Sequence, residues 1–513
     1  MSVISSIQSW CTVAPQHVYG REGWFRGRPD LLRKTALAAA SILVIALTLY
    51  TDATRMAIRI MWDSAVLRPF MIAGGLYGTT TTVWSFWRFY LAMRYRPTPT
   101  VPDEQLPKIS IIVPAYNEGA LVGETLRRLA GADYPADRFE IIVSDDGSTD
   151  DTWRHIKRAA REISDRGRKI TALHFDENRG KRWVLWEGFR RGAGDVFITV
   201  DSDSLIEPDA LKAVVSPMVR DASVGAVAGN VRVLNREDGI IPRMLAVRYV
   251  LTFDYKRAAQ SMMGGGGLLC CAGALAAYRR QAVLPILDQW LHQRYLGGEA
   301  RAGEDHAMTN FILKQGFHVR YQRTARVNTK SPRSYANLAK MFLRWGRSNV
   351  RESVHTGSYV FSNFKRGSKL AIRYNYLHCA IGLALPYVFL TAALALTFIY
   401  PVVFGLKLLA ACVMGGVFSM VFFAVRERTS EAVYAVVYSF YSMLLLGWVW
   451  PYALLTSHKS VWMTRDKPAR SPRLVAEPNS SPRRRPARRV ANRRRSFGRA
   501  APARALGPLR AAS

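Results

Sequence analysis

The stretch Ile109-Ser110-Ile111-Ile112-Val113, continued by Pro114-Ala115-Tyr116-Asn117-Glu118, decides the fold of the middle of the chain. A short apolar run that ends at a proline and polar residues is typical of a strand buried on both faces of a sheet. A helical pattern follows from Glu118 to Ala130. The alternation then repeats, with strands predicted at 139–144, 169–175 and 196–200 and helices at 151–163 and 181–191. This order predicts a three-layer α/β domain over residues 107–330 with a mostly parallel sheet.

Acidic residues gather where these strands end. Asp145 and Asp146 follow the second strand, and Asp201 and Asp203 follow the fourth. A single acidic turn is usually a helix cap, which is the simpler interpretation for Ser148 and its neighbours. Ligands of such sheets bind beyond the carboxyl ends of the strands. Because crowded carboxylates repel each other unless a cation or donors hold them, we predict a ligand site at this edge.

The segment Asp201-Ser202-Asp203 is the most specific of these ends. Residues i and i+2 of an extended segment point to the same side, so both carboxylates can reach one ion. Oxygen-only ligation suits Mg²⁺ or Mn²⁺, which share oxygens with a substrate diphosphate, whereas an exposed loop is the alternative. Lys181 and Arg182 start a predicted helix, where a cation opposes the helix dipole. An anion such as that diphosphate is expected to compensate them.

The charge of the chain is strongly positive and unevenly distributed. Of 513 residues, 72 are Lys or Arg and 38 are Asp or Glu, which gives a formal net charge of +34. Residues 467–513 are rich in Arg, Pro and Ala without an apolar period, and they are predicted to be a disordered basic tail. Such charge suits nucleic acid, an anionic membrane surface or an anionic substrate. Five cysteines exclude a disulfide scaffold.

Apolar stretches lie on both sides of the middle domain. Within residues 1–96, membrane spans are predicted at about 35–51 and 69–87, each close to the ~20 residues that cross a bilayer. Within residues 374–466, spans are predicted at about 377–400 and 408–425. The stretch 432–455 is aromatic and contains Pro451, so it suits either an interfacial helix or a third span. Residues 331–373 are expected to be an amphipathic interfacial segment.

Basic residues give the expected topology. Arg33 and Lys34 precede the first span, and Arg94 and Arg96 follow the second. By the positive-inside rule both flanks, and the domain between the spans, lie in the cytoplasm. Two later spans plus an interfacial helix keep the basic tail inside, whereas three would export it. We therefore expect a multi-pass protein of the inner (plasma) membrane, in contact with lipid.

Six short motifs occur in an order that resembles the processive family-2 glycosyltransferases of membranes. They are Val113-Pro114-Ala115-Tyr116-Asn117-Glu118, Asp145-Asp146-Gly147-Ser148, Gly180-Lys181-Arg182, Asp201-Ser202-Asp203, Gly303-Glu304-Asp305 and Arg344-Trp345. Hyaluronan synthases and bacterial chitin-oligosaccharide synthases are the most similar groups, and cellulose synthase is more distant. The resemblance implies an α/β domain of the GT-A type, inserted between N-terminal and C-terminal transmembrane helices. It also implies an inverting transfer from a UDP-sugar donor to a growing polysaccharide acceptor, with Mg²⁺ or Mn²⁺.

The same resemblance implies a role for each matching residue. Tyr116, Glu118 and Asp146 would hold the uridine with Asp145 beside them, Asp201 would contact the nucleotide, and Asp203 would ligate the metal. Lys181 and Arg344 would neutralise the departing diphosphate. Asp305 would be the general base, with Glu304 beside it, and Trp345 would stack on the acceptor sugar. Cys271 and Gly273 belong to a segment, Cys270–Arg279, that resembles the acceptor-site strand. Residues 459–465 resemble the gating segment of hyaluronan synthases.

Three functions are therefore weighed. The first is a synthase that polymerises UDP-sugars and passes the product through its own helices. The second is a non-processive transferase that adds one sugar to a lipid carrier. It stays open because Met341 replaces the glutamine of the family's QxxRW motif and because the spans are few. Ala274 replaces a proline common in hyaluronan synthases, which argues against hyaluronan as the specific product. The third is a membrane-tethered protein that binds nucleic acid through its tail. The clustered carboxylates argue against it, and no nucleic-acid partner is expected.

Overall fold

A computed structural model describes residues 28–264, 266–365 and 367–459. The basic tail at 467–513, the gating-like residues 460–465 and the N-terminal residues 1–27 lie outside the described residues. The predictions made for those three segments therefore stay predictions.

An eight-stranded mixed sheet forms the centre of the middle domain, in the order β3-β2-β1-β4-β7-β6-β10-β5. The strands are β1 (Ile109–Ala115), β2 (Phe139–Asp145), β3 (Lys169–His174), β4 (Val196–Val200), β5 (Ser204–Ile206), β6 (Val224–Val233), β7 (Leu275–Arg279), β8 (Arg294–Tyr295), β9 (Gly298–Glu299) and β10 (His318–Thr329). Strands β3, β2, β1 and β4 are parallel, as the alternation predicts. Strand β7 lies antiparallel between β4 and β6, so the continuous run of parallel strands that the sequence predicts is confined to the half of the sheet from β3 to β4. Strands β8 and β9 form a separate hairpin.

Eighteen α-helices lie in the described part of the chain. They are α1 (Arg28–Tyr50), α2 (Ala53–Asp63), α3 (Leu67–Arg94), α4 (Leu121–Ala130), α5 (Thr152–Ser164), α6 (Lys181–Arg191), α7 (Ala210–Arg220), α8 (Ile240–Val250), α9 (Ala258–Met262), α10 (Arg280–Val283), α11 (Leu287–Leu291), α12 (Glu304–Lys314), α13 (Tyr335–Gly357), α14 (Leu370–Gly382), α15 (Leu385–Ile399), α16 (Pro401–Glu427), α17 (Tyr434–Phe440) and α18 (Val449–Leu455). Short 3₁₀ turns lie at Asp103–Gln105, Ala136–Arg138, Leu284–Ile286 and Ser430–Val433, and π turns at Leu251–Arg257 and Tyr441–Leu445.

Helix α4 begins at Leu121, three residues later than the sequence pattern indicates. Asn117 and Gly119 have φ angles of 50° and 56°, and this left-handed backbone cannot continue into a helix. The residues before Leu121 therefore form a loop above β1. Helix α6 packs closely on the same strand, because a Cβ on Gly188 would lie only 2.4 Å from Cγ2 of Ile112. The carboxyl end of β1 is thus surrounded by polar loops and supported by a dense core.

Apolar helices flank the domain on both sides in the sequence. In the part of the chain that the structure describes, three stretches are long and apolar enough to cross a membrane: Leu31–Tyr50, Leu370–Ile399 and Pro401–Glu427. A fourth becomes possible if the pair Ser430–Leu445 and Val449–Leu455, bent by 44°, counts as one span. Helix α3, where the second span is predicted, is 28 residues long but does not meet the same measure of apolarity. The number of spans stays a prediction.

The π turn between α8 and α9 joins the sheet to these helices. Asp254 in this turn is fully buried, and both Arg232 of β6 and Arg323 of β10 donate to its carboxylate. Arg232 also donates to Glu427 at the end of α16, with an N–O distance of 2.9 Å. Although burial opposes the charge, Arg232 and its arginine neighbours hold the pKa of Asp254 well below its ordinary value.

Candidate active site

Lys181 lies at the centre of the polar edge of the sheet. Its Nζ is 2.6 Å from Oδ1 of Asp201, directly after β4, and 2.8 Å from Oε1 of Glu304, the first residue of α12. Burial alone would lower the pKa of the ammonium group, but the two carboxylates outweigh it and raise that pKa. Lys181 is therefore a fixed positive charge that joins two motifs lying more than a hundred residues apart.

Glu304 and Asp305 are consecutive but differ in their electrostatic surroundings. Burial would raise the pKa of Glu304, yet the neighbouring Lys181 lowers it below its ordinary value. For Asp305, burial and then the charge of Glu304 raise the pKa above its ordinary value. Both residues stand in the first turn of α12, where the helix dipole stabilises negative charge. An Asp with a raised pKa at this position is suited to accept a proton near neutral pH.

Hydrogen bonds fix the Asp305 carboxylate against the loop before β7. The backbone N–H of Gly273 donates to Oδ2 at 3.1 Å, and the N–H of His306 donates to Oδ1 at 2.8 Å. A Cβ on Gly273 would lie 3.4 Å from Nζ of Lys181 and 3.8 Å from Oδ1 of Asp201. Only a residue without a side chain leaves the space between these charges open. The Cys271 thiol is instead buried in the core, and its backbone N–H donates to Thr309 of α12.

Lys181, Asp201, Gly273, Glu304 and Asp305 line one small cleft that is partly open to solvent. Its lining residues are Pro114, Lys181, Leu185, Phe189, Thr199, Asp201, Gly273, Tyr278, Trp290, Glu304, Asp305 and Met308. The lining therefore combines charged side chains with apolar ones. Such a combination positions a ligand by polar contacts while excluding water.

The two aspartates that end β2 are held by different partners. Asp145 is fully buried and bonds Nδ1 of His174 at 2.9 Å, and it also accepts from Ser148. Both oxygens of Asp146 accept backbone N–H groups, from Arg179 at 2.8 Å and Gly180 at 2.9 Å. Burial raises the pKa of Asp146 to about 7. Asp146 thus positions the loop that leads into Lys181.

Tyr116 and Glu118 lie half-buried on the neighbouring loop, above the end of β1. Oε1 of Glu118 accepts from Ser202 Oγ at 3.2 Å, and its backbone N–H donates to Thr152 at 2.8 Å. This places the loop after β1 beside the Asp201–Asp203 segment. The residues to which the resemblance assigns the nucleotide are thereby gathered at one end of the site.

Asp203 is half-buried at the same edge, and its Oδ1 accepts from the hydroxyls of Ser204 and Thr329. Among the described residues, no group of three His, Cys, Asp or Glu side chains could hold a metal ion by itself. A single carboxylate fits Mg²⁺ or Mn²⁺ only where a substrate diphosphate and waters complete the ligand set, which is how these ions are often bound. The second carboxylate of the segment, Asp201, is bound to Lys181 instead.

Arg344 and Trp345 stand on α13, whose Ser348 packs against Gly303 just before α12. The positive charge of Arg344 contributes to the lowered pKa of Glu304. Trp345 is half-buried, with its ring centroid 5.4 Å from that of Phe342. Met341 is buried in the core rather than turned to the site. Helix α13 thus brings the sixth motif to the edge where the other five meet.

Sequence reasoning did not identify two residues that build this edge. His174 bonds Asp145, and Thr309 Oγ1 accepts from the backbone N–H of Cys271. Each is a common residue type outside the six motifs, and each meets its partner through long-range folding. No local pattern in the sequence could have identified them.

Comparison with known proteins agrees with this arrangement. The model of a family described as "Glycosyltransferase like family 2" matches residues 107–348. An N-acetylglucosaminyltransferase of Azorhizobium caulinodans is 31% identical over 372 residues, covering 70% of this chain and 88% of the relative. A hyaluronan synthase of Streptococcus pyogenes is 30% identical over 335 residues, covering 65% and 75%.

A solved structure shows the same fold. The mannosyltransferase of Pyrobaculum calidifontis, in complex with GDP-Man and Mn²⁺, covers 73% of this chain and 97% of its own, with a TM-score of 0.50 and 22% identity. The middle domain thus has a GT-A-like fold. With the matching family model and relatives at about 30% identity, the chain belongs to the family 2 glycosyltransferases.

Proposed function

We propose that this glycosyltransferase transfers sugars from a UDP-sugar to a growing polysaccharide at the cytoplasmic face of the inner membrane, and passes the product between its own helices. One observation carries the proposal. Lys181 is bound at once to Asp201, on the nucleotide side, and to Glu304, whose neighbour Asp305 faces the loop of Gly273. A fixed positive charge and a basic carboxylate at one cavity are what transfer to a hydroxyl group requires.

The donor would lie along the edge of β1, β2 and β4. Tyr116, Glu118 and Asp146 would hold the base and ribose, with Asp145 supporting them from the core. Asp203 would hold Mg²⁺ or Mn²⁺ together with the diphosphate. The ion would supply charge neutralisation of that diphosphate when bound. Lys181 and Arg344 would stabilise the same charge from the protein side.

In the transfer, the acceptor hydroxyl oxygen would attack the anomeric carbon of the donor sugar. The bond from that carbon to the diphosphate would break, and UDP would leave with the electron pair. Asp305 would take the hydroxyl proton, which its raised pKa favours. The apolar residues that line the cleft would keep water from replacing the acceptor.

The acceptor side adjoins the apolar helices, which supports a product that enters the membrane. Trp345 stands on α13, and the next residue, Gly346, packs against α18, where a Cβ would lie 2.8 Å from Cβ of Ala453. Helix α18 is part of the bent pair that could span a membrane. A sugar stacked on Trp345 would therefore lie beside the predicted route of export.

Turnover by the purified full-length protein in lipid tests the proposal. Labelled UDP-GlcNAc is the first donor to try, given the name of the Azorhizobium relative, followed by UDP-glucose and UDP-glucuronate. We expect UDP release together with products of many sugars. Products that carry a single sugar on lipid would favour the non-processive alternative, and absence of UDP release from every donor would contradict the proposal.

The Asp305→Asn variant tests whether Asp305 is the general base. It should bind UDP almost as tightly as the native protein but lose roughly 10²-fold or more in transfer rate, the usual scale for a general base. A collapse of UDP affinity instead would show that Asp305 is structural.

A further inference from the structure

Arg351 on α13 joins two parts of the chain that the six motifs leave out. Its side chain is only 3% exposed. One terminal nitrogen, Nη2, donates to the carbonyl oxygen of Ala302 at 2.8 Å, and the other, Nη1, donates to the carbonyl oxygen of Ser457 at 3.1 Å. Ala302 lies two residues before Glu304, and Ser457 lies just after α18. The planar guanidinium thus fixes the distance between the loop before the catalytic pair and the end of the last helix.

The same face of α13 supports that loop at a second point. Arg344, Ser348 and Arg351 recur at i, i+4 and i+7, which places them on one side of the helix. Ser348 packs so tightly on Gly303 that a Cβ there would lie 1.8 Å from its Oγ. The loop of Ala302 and Gly303 is therefore held by α13 immediately before α12 begins.

Glu352, the next residue, fixes α12 from the other side. It is buried, and its carboxylate accepts from Asn310 Nδ2 at 2.8 Å and from Gln293 Nε2 at 3.0 Å. Asn310 stands on α12 itself. With Arg351 at the start of this helix and Glu352 further along it, α12 has little freedom to move relative to α13. Because Trp345 is on α13 and Asp305 on α12, the separation of acceptor and base depends on these contacts.

We infer that Arg351 is a positioning residue that sets Asp305 against the acceptor hydroxyl and couples this placement to the end of α18. The inference rests on the proposed function, in which Asp305 is the base. The guanidinium of Arg351 donates to Ala302 and Ser457, whereas Asp146 and Asp201 are held by Arg179, Gly180 and Lys181, so we do not expect Arg351 to act on the donor. Its loss should therefore impair transfer to a sugar more than it impairs transfer to water, which needs no aligned acceptor.

The test compares sugar transfer with donor hydrolysis in the full-length protein in lipid, with UDP-GlcNAc as the probe. The variants are Arg351→Lys, which cannot span both carbonyls, and Arg351→Gln. We expect transfer to fall about 10-fold or more, the donor KM to stay within about 2-fold, and the ratio of transfer to hydrolysis to fall with the transfer rate. The ratio does not depend on how many molecules are folded, so a mere loss of stability leaves it unchanged.

Arg347→Ala is the matched control. Arg347 donates to Thr456 at the end of α18, at 3.1 Å, whereas it is Arg351 that donates to Ala302. The ratio of transfer to hydrolysis in the Arg347→Ala variant should equal that of the native protein. An unchanged ratio in both Arg351 variants would overturn the inference, as would failure of both to fold while Arg347→Ala folds. Failure of the proposed function is distinct, because the native protein would then release no UDP.

Discussion

Glu304 and Asp305 are adjacent carboxylates whose pKa values are shifted in opposite directions. Lys181 lowers the pKa of Glu304 against the effect of burial, whereas burial and then the charge of Glu304 raise the pKa of Asp305. A base must be unprotonated to work, so transfer should fail as the pH falls through the pKa of Asp305. Because this pKa is raised, the acidic limit of activity should lie above the range of an ordinary aspartate.

The Glu304→Gln variant tests this coupling. Removal of the neighbouring negative charge should lower the pKa of Asp305, so the acidic limit should move to lower pH even if the maximal rate falls. The measurement is kcat against pH, each profile normalised to its own maximum. Glu177→Gln, an exposed residue, is the control and should leave the limit in place. A limit that moves to higher pH in Glu304→Gln would contradict the assignment.

Asp203 is the residue that we expect to hold the metal. Chelation should abolish transfer, and added Mg²⁺ or Mn²⁺ should restore it. Asp203→Asn keeps the shape but removes a charged ligand, so it should need far more metal for half-maximal rate or be inactive. Asp209→Asn, an exposed residue at the start of α7, is the control. Near-native metal dependence in Asp203→Asn would exclude it as a ligand.

At this scale the sequence predicted which residues gather but not what each one contacts. The motifs place Asp201 and Lys181 near one another because both follow strands of the same sheet. That Asp145 would be buried against His174, and that Glu304 would share the ammonium of Lys181, depends on contacts distant in sequence. Their roles toward a substrate stay predictions.

At the scale of helices and strands, the junction of α12 with α13 depends on Gly303. Its φ of 83° is left-handed, which costs any other L-residue about 1–2 kcal/mol, and Ser348 fills the space where a side chain would lie. Gly303→Ala should displace α12 and with it Asp305. We expect a loss of transfer on the order of 10²-fold, measured as kcat of folded protein.

A second substitution separates the backbone strain at residue 303 from the steric clash with Ser348. Ser348→Gly in the Gly303→Ala background removes the steric clash but not the backbone strain, so it should restore part of the activity. If the double variant were no better than Gly303→Ala, the packing of α13 on this loop would not be what matters.

The elements themselves were partly predictable. Strands β1 to β4 and helices α5 and α6 lie where the alternation of apolar and polar residues predicts them, because each is a local pattern repeated in one half of the sheet. The position of strand β7 was harder to predict, because its antiparallel place between β4 and β6 depends on the path of the chain through α8 and α9. The local sequence does not determine that path.

For the whole molecule, none of the residues assigned to catalysis lies beyond α18. Removal of residues 468–513 should leave transfer and membrane insertion largely unchanged, because this basic segment has too little apolar content to pack on the enzyme. At most, each Arg near an anionic surface adds about 1 kcal/mol of attraction. Turnover by the truncated and full-length proteins, in neutral and in anionic lipid, measures this. A truncated protein that is inactive in both would assign the tail to the catalytic machinery.

Because Arg232 of the sheet is paired with Glu427 at the end of α16, the sheet and the apolar helices are not expected to unfold independently. Asp254 takes its partners from the sheet, and one of those partners also holds Glu427 of a candidate span. Separating the sheet from α16 would break the pair between Arg232 and Glu427, and breaking a buried pair costs about 3–5 kcal/mol. An excised fragment of residues 107–330 should therefore aggregate rather than refold, and heating the intact protein should give one cooperative transition instead of two. Evolution could then change the loops around the sugar site without disturbing this contact. Attaching the catalytic domain to different membrane helices would instead require a new partner for Arg232.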